Sequence, residues 1–410
     1  MKLKIKKGTV ETSIIFLLSP FLSFPFILNQ LKSKDRAGSL LLSFLVGLIG
    51  YLYIPSISND KARYYERFEL YSTFDFSSFT YFIFGLKKPD FIFDFVLYVA
   101  SQLGIKIEFV FFILTWLCVY LLFLVINSII TSVKPGNWSY ILISLLTLLS
   151  FSLPSLLSGL RFTLGATMFI YGVYSLFFTG AKAIRGILII ILATQTHFSL
   201  LYFVPSLFLI YFDPKSRLNY RIFFLISFIF LLIPSSITSQ IFGSLSISES
   251  LDSKTSVYVN GEDFVSKNFD SNQNSILIYL FRTAWYYFML AYLLYKNKSL
   301  IFNRMSEKLI NIIYLFIFFV NFTFSFTTVF SRFTIVLKII FAIFLIYKYL
   351  YTGNQSSKRE LFLLLSFYLL AFLVDVFVLR FNLQMSLFSG ENLSMLQILF
   401  HKISPNEFLK

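Results

Sequence analysis

The chain has 410 residues, of which 57% are hydrophobic and 13% are charged, and its formal net charge is +15. A soluble domain of this length could not bury so much apolar surface, so the composition excludes a soluble globular protein and indicates an integral membrane protein. Much of the positive charge lies in short loops between apolar runs, where the positive-inside rule places it, which argues against nucleic-acid binding. One cysteine and two histidines argue against disulfides and metal centres, so we expect no metal and no cofactor.

Apolar runs recur roughly every 20–30 residues, the spacing of helices that cross a hydrocarbon core and turn back. The sequence therefore predicts an all-α polytopic membrane protein with about 11–13 transmembrane helices, forming a single domain over residues 1–410. The spans are expected at 12–31, 37–54, 108–130, 138–157, 162–178, 186–196, 200–212, 222–241, 276–295, 309–328, 333–350 and 361–379. Pro20 and Pro25 interrupt the first of them, which is predicted to be either a retained first helix or a re-entrant segment.

Two polar stretches separate groups of apolar runs. Residues 56–107 follow the second span and contain short amphipathic pieces, which predict a segment lying at the membrane surface. Residues 243–275 are rich in Ser, Asn, Asp and Glu and have no apolar periodicity, which predicts a loop or lid insert. Basic loops such as the one with Lys182 and Arg185 alternate onto one side, which we assign to the cytoplasm. Both polar stretches are then expected on the outer side.

Three arginines and one histidine fall on that outer side, which the positive-inside rule should deplete of arginine. Arg161 precedes the fifth predicted span, His197 ends the sixth, Arg282 lies in the ninth, and Arg332 lies between the tenth and eleventh. An arginine at mid-depth costs at least ~2.5–3.5 kcal/mol on the insertion scale, which is tolerated mainly where the side chain faces a cavity with something to bind. The alternative is that the arginines extend to lipid headgroups and the histidine only packs.

The chemistry of these four side chains fits a phosphate-bearing lipid substrate. A guanidinium presents a rigid fork of donors that matches phosphate oxygens. Arg161, Arg282 and Arg332 are therefore predicted to bind the pyrophosphate of a lipid-linked sugar. A histidine has an ordinary pKa near ~6.5, so His197 is predicted to accept the proton of an attacking sugar hydroxyl.

The polar and aromatic segment that directly follows the second span is a candidate for glycan binding. Asp60 and Glu66 are expected to accept hydrogen bonds from sugar hydroxyls, and Asp60 is the alternative to His197 as the base. Tyr64 and Tyr65 are expected to stack on sugar rings. The other interpretation, an interfacial helix whose charges are solvated, stays open.

Several short motifs occur in the order that is typical of a known family. They are Asn59-Asp60 through Tyr64-Tyr65, Ser158-Gly159-Leu160-Arg161 through Ala166, His197-Phe198-Ser199 and Ser331-Arg332-Phe333. In these motifs the chain resembles the EpsG-type and Wzy-type polysaccharide polymerases of bacterial envelopes. The resemblance implies a GT-C-like fold in the bacterial cytoplasmic membrane, with several membrane-crossing segments and an active site that faces outward.

Such polymerases join oligosaccharide repeat units carried on undecaprenyl pyrophosphate at the outer face of the membrane. The resemblance implies an inverting glycosyl transfer that uses neither a nucleotide sugar nor a metal. It also implies that the partners are the lipid-linked oligosaccharide, membrane lipid and a candidate chain-length regulator, with no nucleic acid. Two alternatives stay open: a flippase or transporter of the same lipid-linked oligosaccharide, and a ligase that moves finished glycan to another acceptor.

Overall fold

The computed structural model describes residues 7–32, 36–56, 59–86, 88–133, 137–179, 183–213, 218–233, 237, 273–296, 299–388 and 393–401. Within these ranges the regular structure is helical and contains no strand. The α-helices, numbered in chain order, are α1 (Lys7–Leu18), α2 (Phe24–Lys32), α3 (Arg36–Leu52), α4 (Asp60–Ser72), α5 (Phe76–Thr80), α6 (Ile92–Gln102), α7 (Ile107–Val133), α8 (Asn137–Leu149), α9 (Leu153–Leu157), α10 (Leu160–Phe178), α11 (Ala183–Thr196), α12 (Val204–Phe212), α13 (Tyr220–Phe230), α14 (Gln273–Tyr295), α15 (Arg304–Phe322), α16 (Thr327–Thr352) and α17 (Gln355–Phe388). A 3-10 helix covers Phe198–Phe203, and π-helices cover Tyr81–Gly85 and Gln397–His401.

In the described ranges, six helices are long and apolar enough to cross a membrane. They are Ile107–Thr131, Leu160–Phe178, Ile276–Tyr295, Arg304–Phe322, Thr327–Thr352 and Gln355–Leu383. The predicted class, an all-α polytopic membrane protein, is therefore confirmed. Seven further apolar helices of the described ranges have 10–17 residues. Because a helix needs about 20 residues to cross the hydrocarbon core, the count of about 11–13 spans stays a prediction.

The predicted first span is divided at its prolines into two helices. α1 ends at Leu18 and α2 begins at Phe24, with Pro25 in its first turn, where a proline costs no helical hydrogen bond. The Gln30 side-chain amide donates to the Thr12 hydroxyl oxygen at 3.2 Å. This contact places α2 beside α1, so the segment is a helical hairpin rather than one continuous span.

The two polar stretches predicted from the sequence differ in how much of them is described. Residues 56–107 contain α4, α5, α6 and the first π-helix. The predicted insert at 243–275 lies outside the described residues except for 273–275, which begin α14. The roles of both stretches, and the single domain over residues 1–410, stay predictions.

The chain divides into two compact units. The first unit comprises Met1–Phe79, Ile92–Met168 and Asp375–Lys410, and the second comprises Thr80–Phe91 and Phe169–Val374. In the first unit, α3 packs along α7. A Cβ atom added to Gly47 would lie 3.0 Å from the Phe112 carbonyl oxygen, so this packing depends on a residue without a side chain.

Polar side chains join the helices of the second unit. The Asn321 amide donates to the Ser227 hydroxyl oxygen at 2.8 Å, and its carbonyl oxygen accepts from the Tyr286 hydroxyl. Since these residues lie on α15, α13 and α14, one buried amide connects three helices. Interhelical hydrogen bonds of this kind contribute about 0.6–2 kcal/mol each in membrane proteins.

A buried ion pair joins three helices of the same unit. The Lys348 ammonium of α16 donates to the Glu360 carboxylate of α17 and to the Tyr292 hydroxyl oxygen of α14, each at 2.8 Å. The Tyr292 hydroxyl in turn donates to Glu360 at 2.8 Å. Removing one partner of a buried pair leaves an uncompensated charge, which costs about 3–5 kcal/mol.

Two glycines let α10 and α11 approach closely within the second unit. A Cβ atom added to Gly186 would lie 2.7 Å from the Leu176 backbone nitrogen and 2.9 Å from the Gly172 carbonyl oxygen. No side chain fits there, because the obstructing atoms belong to the backbone. This contact fixes α11, and His197 directly follows the end of that helix.

We predict that Gly186→Ala destabilises the protein by about 1–3 kcal/mol, because the added methyl group must push the two helices apart. Thermal unfolding of the purified protein in detergent measures this effect. Leu188→Phe is the matched control, since it adds volume on the same helix at a side chain that is 57% exposed. Equal melting temperatures for Gly186→Ala and the unmodified protein would contradict the close helix contact.

Candidate functional site

Arg161 lies in the first turn of α10. The two residues Ser158 and Gly159 connect this helix to the end of α9. The Gly159 N–H donates to the Pro154 carbonyl oxygen at 3.1 Å. The Thr163 hydroxyl donates to the Ser155 carbonyl oxygen at 2.7 Å, which connects the start of α10 to α9. These contacts hold the half-buried Arg161 side chain at the beginning of its helix, close to where the sequence places it.

Asp375, on α17, stabilises the start of α9. Its Oδ2 atom accepts a hydrogen bond from the Ser152 hydroxyl at 3.2 Å and another from the Leu153 N–H at 3.0 Å. Asp375 is buried, and the N–H group at the start of a helix is a favourable partner for a carboxylate. Asp375 therefore fixes the start of α9, the short helix that precedes Arg161.

A second arginine of the first unit lies on α4 and contacts a buried carboxylate. The Arg67 Nη1 atom is 3.3 Å from Asp94 Oδ1, and the Tyr71 hydroxyl donates to the same oxygen at 2.8 Å. Burial and the negative charge of Asp94 raise the pKa of Tyr71, and the positive charges of Arg67 and Arg161 oppose that rise. The Asp94 carboxylate thus attaches α4 to α6.

Lys61 connects α4 to two other parts of the first unit. Its side chain is only 1% exposed, and the ammonium donates to the Gly50 and Tyr53 carbonyl oxygens at 2.8 and 2.7 Å. It also lies 4.6 Å from the centre of the Phe111 ring. The Lys61 backbone N–H donates to the Ser158 hydroxyl oxygen at 3.3 Å, three residues before Arg161. Burial lowers the pKa of Lys61 to about 7.

The two predicted acidic contacts to glycan lie on α4, and both side chains are at least partly exposed. Asp60 begins the helix and forms an ion pair with Arg63 at 3.5 Å, with one-third of its side chain exposed. Glu66 is exposed. A carboxylate near a helix start that pairs with the residue three positions later stabilises the helix by a few tenths of a kcal/mol, roughly 0.2–0.5. The roles of Asp60 as a base and of Glu66 as a glycan contact stay predictions.

Tyr64 and Tyr65 are buried against other aromatic rings. The Tyr64 ring lies 4.7 Å from that of Phe93, and the Tyr65 ring lies 5.6 Å from that of Phe111. The Tyr65 hydroxyl donates to the buried Glu108 carboxylate at 3.3 Å, and burial together with that negative charge raises the pKa of Tyr65. These contacts attach α4 to the unit, and stacking on sugar stays a prediction for both tyrosines.

His197 lies between α11 and the 3-10 helix in the second unit. Its backbone is extended, with φ −148° and ψ 108°, and its side chain is only 4% exposed. The Nδ1 atom is 2.8 Å from the Ser199 hydroxyl oxygen, and the imidazole stacks on Phe198 with 5.7 Å between ring centres. A hydroxyl at this distance sets the orientation of the imidazole ring.

Arg282 and Arg332 also belong to the second unit, on α14 and α16, and both are half-buried. These helices contact each other where the Tyr286 and Phe330 rings meet, with 5.3 Å between ring centres. Tyr286 follows Arg282 by one helical turn, and Phe330 precedes Arg332 by two residues. The sequence places Arg332 between two spans, whereas the structure includes it in the second turn of α16.

The structure divides the predicted site residues between the two units. Arg161, Asp60, Tyr64, Tyr65 and Glu66 belong to the first unit, and His197, Arg282 and Arg332 belong to the second. Within the first unit, α4 and the start of α10 are connected through Lys61 and Ser158. A shared site for all of the predicted residues stays a prediction.

The buried ionisable residues around these positions were not assigned a role from the sequence. Asp90, Asp94 and Glu108 have exposed fractions of 3%, 2% and 2%, and Lys61 is equally buried. Residues 91–100 are aromatic or aliphatic apart from Asp94, and Asp90 directly precedes this run. That position is the one sequence signal for the two aspartates. Among the described residues, no group of three His, Cys, Asp or Glu side chains is arranged to hold a metal ion.

Comparison with known proteins identifies the family. The model of the EpsG family matches residues 35–389, a range that includes every candidate site residue from Asp60 to Arg332. No curated protein and no solved structure matches the chain, so a GT-C-like fold stays a prediction. Because the match covers well over half of the chain, the protein belongs to the EpsG family, the family of Wzy-type polysaccharide polymerases.

Proposed function

We propose that this protein polymerises oligosaccharide repeat units carried on undecaprenyl pyrophosphate, by metal-independent glycosyl transfer at the outer face of the bacterial cytoplasmic membrane. The observation that carries the proposal is the EpsG-family match over residues 35–389. The polytopic helical structure supports it, because a lipid-linked substrate reaches its enzyme within the membrane. The partners are the lipid-linked oligosaccharide, membrane lipid and a candidate chain-length regulator.

In the proposed reaction, a hydroxyl oxygen of the incoming repeat unit attacks the anomeric carbon of the growing chain. The bond between that carbon and the pyrophosphate oxygen breaks, and the polyprenyl pyrophosphate leaves with the bonding electrons. Arg161, Arg282 and Arg332 bind the pyrophosphate and stabilise its increasing negative charge. The half-buried position of each guanidinium supports this role, since an electrostatic interaction is stronger where water is partly excluded.

The proton of the attacking hydroxyl goes to His197, with Asp60 as the alternative base. The buried, hydrogen-bonded imidazole of His197 supports the first choice, because a general base must be held in one orientation. Asp60 is more exposed, and its partner Arg63, 3.5 Å away, is exposed as well, so its carboxylate is held less firmly than the His197 ring. Tyr64, Tyr65 and Glu66 are the proposed glycan contacts of the first unit.

We predict that Arg161→Ala lowers the polymerisation rate by ~10²–10³, because a donor aimed at the leaving-group charge contributes on the order of 3–4 kcal/mol. Cells with this variant should carry single repeat units on the lipid at normal protein levels. Gel analysis of the glycan length, with an immunoblot for the protein, measures both quantities. Arg185→Ala is the control, since Arg185 is exposed and donates to the Tyr171 hydroxyl oxygen at 2.8 Å.

Long glycan chains in Arg161→Ala cells would contradict the proposed role of this residue. A deletion strain distinguishes the alternative functions. Single exported units indicate a polymerase, no exported glycan indicates a flippase, and long chains that stay on the carrier indicate a ligase.

We predict that His197→Ala lowers the rate by ~10²–10⁴, the usual contribution of a general base, without weakening the binding of the lipid-linked donor. Extension of repeat units by the purified protein in vesicles gives the rate, and donor binding is measured separately. The chain's other histidine, His401, lies beyond the family match, so His401→Ala is the matched control. An unchanged rate for His197→Ala would leave Asp60 as the base to be tested next.

A further inference from the structure

We infer that Asp90 is the residue that positions His197 for its reaction with the acceptor hydroxyl. This inference rests on the proposed function, in which His197 is the general base. Asp90 belongs to the second unit together with His197, although 107 residues separate the two along the sequence. It is a positioning residue rather than a catalytic one, because its carboxylate acts on the backbone that carries the histidine.

Two hydrogen bonds connect the Asp90 segment to the chain on both sides of His197. The Asp90 Oδ2 atom accepts from the Phe198 N–H at 3.1 Å. The backbone N–H of the next residue, Phe91, donates to the Gln195 carbonyl oxygen at 3.1 Å. One short segment thus holds the residue after the histidine and the residue two positions before it.

The backbone at His197 needs such support because α11 ends directly before it and the 3-10 helix begins directly after it. The His197 N–H makes the last hydrogen bond of α11, to the Ala193 carbonyl oxygen at 3.0 Å. The Phe198 N–H is then the first N–H of the 3-10 helix and has no acceptor within that helix. A carboxylate is a strong acceptor for such a group, so Asp90 fixes the direction in which the chain leaves the histidine.

The direction of the chain determines the orientation of the imidazole. For Nε2 to accept a proton, the neutral imidazole must carry its hydrogen on Nδ1. In that tautomer the Nδ1–H donates a hydrogen bond to Ser199 Oγ, 2.8 Å away. Ser199 is the second residue of the 3-10 helix whose first N–H binds Asp90. Releasing that N–H therefore moves Ser199 relative to the ring and misplaces the base.

The burial of Asp90 explains why its carboxylate needs this hydrogen bond. Asp90 is only 3% exposed, and a buried carboxylate is expensive unless hydrogen bonds compensate the lost hydration. A carboxylate that only closed a loop at the surface would not need this degree of burial. Asp213 offers the comparison, since it accepts from the Leu218 N–H at 2.9 Å and from the Tyr220 hydroxyl at 3.0 Å and is only half-buried.

A double-mutant cycle between Asp90 and His197 tests the inference. The purified full-length variants are reconstituted into vesicles and given lipid-linked repeat units extracted from the deletion strain. Asp90→Ala should lower the extension rate by ~10–100-fold without changing donor binding, since a displacement of about 1 Å at a reacting group has effects of this size. Asp90→Asn should retain most of the rate, because the amide oxygen accepts the same N–H.

The decisive comparison is the variant that carries both substitutions. If Asp90 acts through His197, Asp90→Ala should cost nothing further when His197 is already alanine. Asp213→Ala is the matched control and should extend chains at the unmodified rate. Asp90→Ser replaces Asp90→Ala in the same cycle if the alanine variant does not accumulate. The serine side chain is shorter than that of aspartate and cannot reach the Phe198 N–H.

Three results would overturn the inference. They are an unmodified rate for Asp90→Ala, losses that multiply in the double variant, and the failure of both the alanine and the serine variants to accumulate. Failure of the proposed function gives a different result, because the unmodified protein would then extend no chains. An unmodified rate for His197→Ala rejects His197 as the base and leaves polymerisation itself standing. A large loss for His197→Ala with no loss for Asp90→Ala rejects the positioning role alone.

Discussion

An ionisable side chain inside an apolar helical protein must be hydrogen-bonded or paired, because the surrounding medium cannot replace its hydration. In this structure three buried charges satisfy that requirement at the ends of helices. Lys61 donates to carbonyl oxygens at the end of α3, and Asp375 accepts from the N–H at the start of α9. Asp90 accepts from the first N–H of the 3-10 helix. These three charges therefore fix where helices begin and end, and two candidate site residues, Arg161 and His197, also lie at helix ends.

The helices could be predicted from the sequence because continuous apolar runs of this length have few other stable structures in a membrane. The observed α7, α10, α14 and α16 begin and end within a few residues of the predicted spans, apart from the start of α16. The first predicted span was different. Pro20 and Pro25 interrupt its apolar run and leave two predictions open, a retained first helix and a re-entrant segment. The hydrogen bond between Gln30 and Thr12 belongs to a helical hairpin, and no local pattern pairs these two residues.

The candidate site could be predicted only where a residue stands out from its own neighbours. Arg161 and His197 are polar residues at the ends of apolar runs, and their positions at helix ends agree with the sequence. The supporting residues depend on contacts between distant parts of the chain, such as Lys61 with Ser158 and Asp90 with Phe198. A single sequence contains no signal for such pairs, because it does not show which distant residue a lysine or an aspartate contacts.

The central proposal is that Arg161, Arg282 and Arg332 bind the lipid pyrophosphate and that His197 accepts the proton of the acceptor hydroxyl. The most direct test is an experimental structure of the protein in a lipid nanodisc with the lipid-linked repeat unit bound. The account predicts phosphate oxygens within hydrogen-bonding distance of Arg161 and of Arg282 or Arg332, with the sugar next to the imidazole. A pyrophosphate bound away from these guanidiniums, or arginines that point separately into lipid, would contradict it.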